Sequence, residues 1–176
     1  MTTDDASSDH MMVRHATLDD LDAIAAVEAA CFPPAEAASR KDFRRRLKTY
    51  PNHFWLMFAD DDNGNDGSLI SFVNGMTTDE RDLADEMYED ASIHDENGAW
   101  QMIFGVNTMP EYRRHGYASA VLRQVIADAR EQGRAGVVLT CKTEKIPFYA
   151  RLGFVDEGVS DSTHGGVVWH QMRITF

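Results

Sequence analysis

A chain of 176 residues, 43% of them hydrophobic, has the size and apolar content of a single folded domain and excludes wholesale disorder. Seventeen Lys and Arg against 29 Asp and Glu leave a net charge of −12, a surface that repels phosphate backbones and argues against nucleic acid as a partner. No apolar run approaches the roughly 18 residues of a membrane helix, so no membrane partner is expected. The polar, acidic start MTTDDASSDHMM has the character of neither a secretory signal nor a transit peptide. Cys31 and Cys141 lie far apart without metal-like spacing, and a reducing, cytoplasmic setting is expected.

Residues 1–10 read as a disordered tail ahead of one domain over 11–176. Met11 to His15 is a short strand. Leu18, Leu21, Ile24, Ala25 and Val27 recur at helical spacing, with Thr17 as N-cap before Asp19 and Asp20, and Pro33 and Pro34 end that helix. A basic helix is expected from Glu36 to Lys48. His53 to Ala59 and Ser68 to Met76 read as strands joined through DDDNGNDG, a hairpin loop. Asp79 to Glu96 then holds nine acids and one arginine, so −8 of the −12 sits there. It reads either as a solvated helix or flexible loop, or as a lid whose charge serves a cationic substrate.

Trp100 to Val106 (WQMIFGV) reads as one buried strand, where Gly105 signals a bulge or the close approach of a ligand. A turn follows, and then the clearest helix of the chain. Ala118, Val121, Leu122, Val125, Ile126 and Ala129 share one of its faces, and Gly133 closes it. Gly136 to Lys142 is a second buried strand, which the helical crossover places parallel to the first. Pro147 opens a short helix through Tyr149 and Leu152 to Gly153. Strands near Phe154 to Glu157 and Val167 to Thr175 flank a loop with His164, Gly165 and Gly166. The fold class is therefore α/β (α+β): one domain with a mixed, mostly antiparallel sheet, flanking helices and one parallel strand–helix–strand unit.

The turn Arg113-Arg114-His115-Gly116-Tyr117-Ala118-Ser119 is the strongest candidate site. Gly116 and Ala118 keep the backbone uncluttered where a helix starts, and helix-start amides with about half a positive charge attract an anion. Arg113, Arg114 and His115 add a basic island. An ordinary turn with solvated arginines remains open on these residues alone. The pattern is neither a P-loop nor the three-glycine dinucleotide fingerprint.

Arg113-x-x-Gly116-x-Ala118 resembles the acetyl-CoA signature [Q/R]-x-x-G-x-[G/A] of the GNAT acetyltransferases, and Phe148-Tyr149-Ala150-Arg151-Leu152-Gly153-Phe154 resembles their F-Y-x-x-x-G-F segment. Glu28-Ala29-Ala30-Cys31-Phe32-Pro33 and Cys141 followed by Pro147-Phe148-Tyr149 are similar to the arylalkylamine (serotonin-type) branch. The resemblance implies a GNAT-like fold and acetyl-CoA as co-substrate. Phe104, Gly105 and Val106 would pair with the pantetheine arm, and the backbone from Arg114 through Ser119 would hold the pyrophosphate. Tyr149 would protonate the departing thiolate. That transfer is chemically reasonable, since a thiolate of pKa about 8.5 can take a proton from a phenol of about 10 in one concerted step. Phe32 would line an apolar acceptor pocket.

The branch carries a histidine pair on the strand before the turn, and Trp100 and Met102 stand at those places. Neither is a base, whereas an alkylamine of pKa about 10 must lose a proton before it attacks. Glu28, His164 and His170 are the candidates for that task. The expected activity is acetyl transfer to a primary amine, with a protein N-terminus or lysine, or a non-catalytic acyl-CoA-binding module, as alternatives. A homodimer is compatible with the sequence. No metal site is expected, because the seven histidines show no ligand-like spacing.

Overall fold

The computed structural model describes residues 11–60 and 66–176; the tail expected over 1–10 and most of the DDDNGNDG loop lie outside them. Strand β1 (Met11–Arg14) leads into a 3-10 turn and helix α1 (Leu21–Cys31). Thr17 caps this start as expected. Its hydroxyl accepts from the Asp19 amide at 3.3 Å, and the Asp20 carboxylate accepts from the Thr17 amide at 2.8 Å. Helix α2 covers Arg40–Thr49, not the expected Glu36 onward. Ser39 and Asp42 form a reciprocal capping box (3.1 and 3.0 Å) that fixes the later start, and Glu36 instead lies buried in the turn after Pro33.

Strands β2 (Phe54–Asp60) and β3 (Asp66–Asn74) follow, then β4 (Thr77–Thr78) and the short helix α3 (Glu86–Glu89). The expected single strand over Trp100 to Val106 is two, β5 (Trp100–Ile103) and β6 (Gly105–Thr108), broken at Phe104. Helix α4 (Tyr117–Glu131) crosses to β7 (Gly136–Cys141). Helix α5 (Ile146–Arg151) and strands β8 (Val155–Val159) and β9 (His170–Thr175) complete the fold. The last strand starts at His170, later than the expected Val167, and the His164–Gly166 loop ahead of it is a 3-10 turn with Gly165 at φ 65°.

The strands form two sheets. One is antiparallel in the order β1-β2-β3-β6; the other runs β4-β5-β7-β9-β8, with β5 and β7 parallel as the crossover requires. Strand β2 shows why its sequence, FWLMF, lacks polar alternation. Phe54, Leu56 and Phe58 pack into a cluster with Ile24, Val27, Phe43 and Leu47 of α1 and α2. Trp55 and Met57 face the opposite way, into a cluster with Val121, Leu122 and Val125 of α4. Both faces of the sheet are covered, so both sets of side chains are apolar.

The acidic stretch 79–96 is neither a solvated helix nor a free loop. Leu83 and Met87 are buried, and its acids make specific bonds. Asp82 receives the Arg173 guanidinium at 2.7 Å, Asp85 accepts from the Ser162 hydroxyl at 2.6 Å, and Asp79 accepts from the Ala99 amide at 3.0 Å.

Its last acid, Glu96, meets His53 (3.0 Å) and His94 (2.8 Å), and the three offer ligand atoms within 4.8 Å of one another, a grouping that sequence spacing conceals. Asn52 donates to the same carboxylate at 2.8 Å. The His94 Nδ1 accepts from the Thr77 amide at 3.1 Å, so its Nε2 carries the hydrogen that faces Glu96 and is not a free metal ligand. The cluster thus reads as a carboxylate strapped between two histidines. Partial burial pushes Glu96 up, but the His53 charge and the bonds from His94, Asn52 and His53 outweigh it and hold the carboxyl down to about 2, against an ordinary 4.5. A depressed carboxyl stabilises the fold above its unfolded pKa and stops doing so as pH falls through the folded one. Thermal melts should therefore show Glu96→Gln lowering Tm strongly at pH 6 and far less at pH 2, where the folded carboxyl is half protonated. Equal losses at both pH values would refute this assignment.

Candidate functional site

Strands β5 and β7 run paired as far as Ile103 and Leu139 and then part. Beyond that point β6 pairs with β3, and β7 with β9. The Phe104 amide marks the departure by donating to the Asn74 carbonyl at 2.8 Å. A cleft of about 1070 Å³ opens where the strands diverge. Phe104, Gly105 and Val106 line it, as do Leu139, Thr140 and Cys141 from the facing strand.

The turn after β6 closes one part of this cleft. Arg113, Arg114, Gly116, Tyr117, Ala118 and Ser119 line it. Among the described residues, the amides from Arg114 through Ser119 have no hydrogen-bond acceptor, and no side chain caps α4. Gly116 has φ 80° and Arg114 φ 67°, which turns the backbone so that successive amides precede the helix start. The Arg113 Nε donates to the Thr108 carbonyl at 3.1 Å, pinning the turn to the end of β6. His115 departs from expectation: it is exposed, stacks on Tyr117 with ring centroids 5.6 Å apart, and does not line the cleft.

Tyr149 lines the same cleft from α5 and is buried, with 8% exposure. Phe148 and Phe154 pack edge-on against its ring. Its hydroxyl has no hydrogen-bond partner among the described residues. Burial, reinforced by the nearby Cys141 and Tyr88, pushes its pKa well above the ordinary phenol range, so it remains a proton donor at neutral pH.

Of the three candidate bases, Glu28 sits deepest. It is 5% exposed and lines the cleft. Its two carboxylate oxygens accept from Asn107 Nδ2 (3.1 Å) and the Ala38 amide (2.9 Å). Burial pushes its pKa up, against the pull of those two bonds and of the Arg46 and His164 charges. His164 also lines the cleft, where its Nε2 donates to the Glu36 carbonyl at 2.8 Å and its ring stacks on Tyr88. His170 lies outside the cleft and pairs with Asp156 at 3.2 Å. Trp100 and Met102 are packing residues. The Arg173 guanidinium lies 4.6 Å from the Trp100 ring, and Met102 is fully buried in the core.

Phe32 caps the end of α1 and lines the cleft beside Pro33. Sequence reasoning missed Arg46, Asn74, Asn107 and the Glu36–Lys142 ion pair (2.7 Å). Asn107 gave no signal in sequence, since it follows the apolar run that ends at Val106 and only the fold buries it against Glu28.

The model of the acetyltransferase (GNAT) family matches residues 21–154, and the chain belongs to that family. No curated protein matches it. Among solved structures it is similar to the loading GNATL domain of CurA from Lyngbya majuscula, with TM-score 0.79 and 14% identity over 94% of this chain and 97% of that one. It is similar to the GphF GNAT-like decarboxylase in complex with isobutyryl-CoA, with TM-score 0.78 and 22% identity over 93% and 98%. The ribosomal-protein-S18-alanine N-acetyltransferase from Escherichia coli aligns with TM-score 0.65 and 16% identity over 94% and 93%. At these identities the likeness is one of fold.

The turn makes one expectation directly measurable. A Cβ added at Gly116 meets nothing within 4 Å, yet must be held at φ 80°, at a cost of about 1–2 kcal/mol. Gly116→Ala should relax the turn, and titration calorimetry should show weaker acetyl-CoA binding with only a small fall in Tm. Wild-type affinity would remove the turn as the anion anchor.

Proposed function

We propose that this protein moves an acetyl group from acetyl-CoA directly to the primary amine of a small molecule, with both substrates bound together. The observation that carries the reading is chemical pairing within one cleft. A buried carboxylate with raised proton affinity and a buried, unpartnered phenol share the space beside the uncapped start of α4. The isobutyryl-CoA bound by one structural neighbour and the N-acetyl transfer named for another support it.

The amides of Arg114 through Ser119 hold the pyrophosphate, and the unpaired edge of β6 at Gly105 and Val106 aligns the pantetheine arm beside β7. A cationic amine enters along Phe32 and loses its proton to Glu28, whose orientation Asn107 fixes. The neutral nitrogen attacks the thioester carbon, the carbon–sulfur bond breaks, the thiolate takes the Tyr149 hydroxyl proton, and the second nitrogen proton returns to the Tyr149 oxygen as the amide forms. Proton transfers of this kind contribute about 10²–10⁴-fold each.

A thiol-release assay with acetyl-CoA and a panel of primary amines tests the reading; no release above hydrolysis with any amine would overturn it. Tyr149→Phe should lower kcat by about 10²-fold with little change in acetyl-CoA affinity. Glu28 must be ionised to act, so kcat/KM should rise as pH climbs through its raised pKa. Glu28→Gln should flatten that limb and lower the plateau by about 10²-fold. An unaltered pH profile would move the base elsewhere.

A further inference from the structure

The cleft contains a second charge that acetyl transfer does not use. Arg46 of α2 lines it and is 3% exposed. Its Nη1 donates to Asn74 Oδ1 at 2.9 Å and its Nη2 to the Tyr88 carbonyl at 3.0 Å, while its buried Nε has no partner. Among the described residues no carboxylate lies within ion-pair distance of it. A buried guanidinium without a counterion is costly, and here it borders open space. Glu28 mirrors it: a buried anion whose bonds come from neutral amides, with no cation at ion-pair distance.

Each charge is joined to one carboxamide, and the charges set the orientation of both. Arg46 can only donate, so the Asn74 oxygen faces it and the Asn74 Nδ2 faces away. Glu28 accepts from Asn107 Nδ2, which leaves the buried Asn107 Oδ1 without a partner. The two carboxamides meet over Gly105, where a Cβ would lie 3.6 Å from each Nδ2 and 3.8 Å from Glu28 Oε1. Glycine keeps that space open. The result is a cavity with an anion on one side and a cation and a free amide donor on the other.

Resting on the acetyltransferase reading, we propose that the acceptor is a zwitterionic α-amino acid. Its ammonium sits on Glu28, and its carboxylate on Arg46 and Asn74 Nδ2. Phe32, Phe104 and Tyr88, with Trp169 at the mouth, give its side chain an apolar, aromatic wall. A zwitterion fits both buried charges at once, whereas a simple amine satisfies one and leaves Arg46 without an anion.

Three probes share ring and amine and differ only at the carboxyl: L-phenylalanine, L-phenylalaninamide and 2-phenylethylamine. With wild-type protein and acetyl-CoA, kcat/KM should fall about tenfold or more from the acid to the amide and again to the amine, the scale of a charge-assisted bond. Titration calorimetry of the three into protein saturated with CoA should give the same order without turnover. Asn74→Asp hands Arg46 a counterion and repels a second carboxylate, so it should reverse the order in favour of the amine. If the amide matches or exceeds the acid, the carboxylate is wrong and a peptide N-terminus takes its place. If the plain amine binds and reacts as well as the acid, the inference falls while acetyl transfer stands. If phenylalanine binds in the predicted order but releases no thiol, the zwitterion site stands and the transferase reading falls.

Discussion

The parting of β6 from β7 after Ile103 is the constraint on which the rest of the site depends. Up to that residue the chain is an ordinary parallel pair; beyond it, two backbone edges face a void where hydrogen bonds would otherwise close. The break is built at Asn74. Its carbonyl takes the Phe104 amide, pulling β6 into the first sheet, and its side chain holds Arg46 inside the cleft. One residue thus opens the wedge and furnishes its far end. Gly75 is what lets β3 come this close to β5, since any Cβ there would collide with the Met102 carbonyl. Asn74-Gly75 is a structural hinge between the sheets and a chemical one between fold and site.

The acidic surplus has a related logic. Four of the nine acids in 79–96 hold side-chain or amide partners from other parts of the fold: Ala99, Arg173, Ser162 and His53. They pin a long connection that contributes few apolar anchors beyond Leu83, Met87 and Tyr88. Asp85 and Glu89 also line the cleft, so part of this charge lies where a cationic group would enter. Composition alone could not separate these uses, because a carboxylate that ties a loop and one that faces a substrate look identical in sequence.

Legibility followed the range of the interactions. The caps at Thr17 and along α4, the parallel crossover, the glycine turn and the Tyr149 helix are set by residues within a turn or two of each other, and the structure agrees with them. The start of α2 was misplaced because Glu36 continues a helical composition while the Ser39–Asp42 box, a local signal, was overlooked. The split at Phe104 was invisible for a different reason. WQMIFGV is apolar throughout, and only the distant Asn74 carbonyl decides where it breaks. The same distance hid Arg46, which reads in sequence as one of several surface arginines on a basic helix. Its burial against Phe43 and Phe104 is a tertiary fact.

For the proposed reaction, burial disfavours a covalent relay through the cysteines of the cleft. Desolvation raises the proton affinity of Glu28 and of Tyr149. It acts equally on the two cysteines that line the same space. Burial pushes the Cys141 thiol up to about 11, aided by Asp156 and Glu144, and lifts Cys31 despite the opposing pull of Arg113. The thiolate is the nucleophile that would capture an acyl group from a thioester. Both side chains therefore stay protonated and inert beside the thioester of the proposed reaction. The same dry environment that raises the proton affinity of Glu28 and Tyr149 thus keeps both thiols from competing with the amine of the proposed reaction.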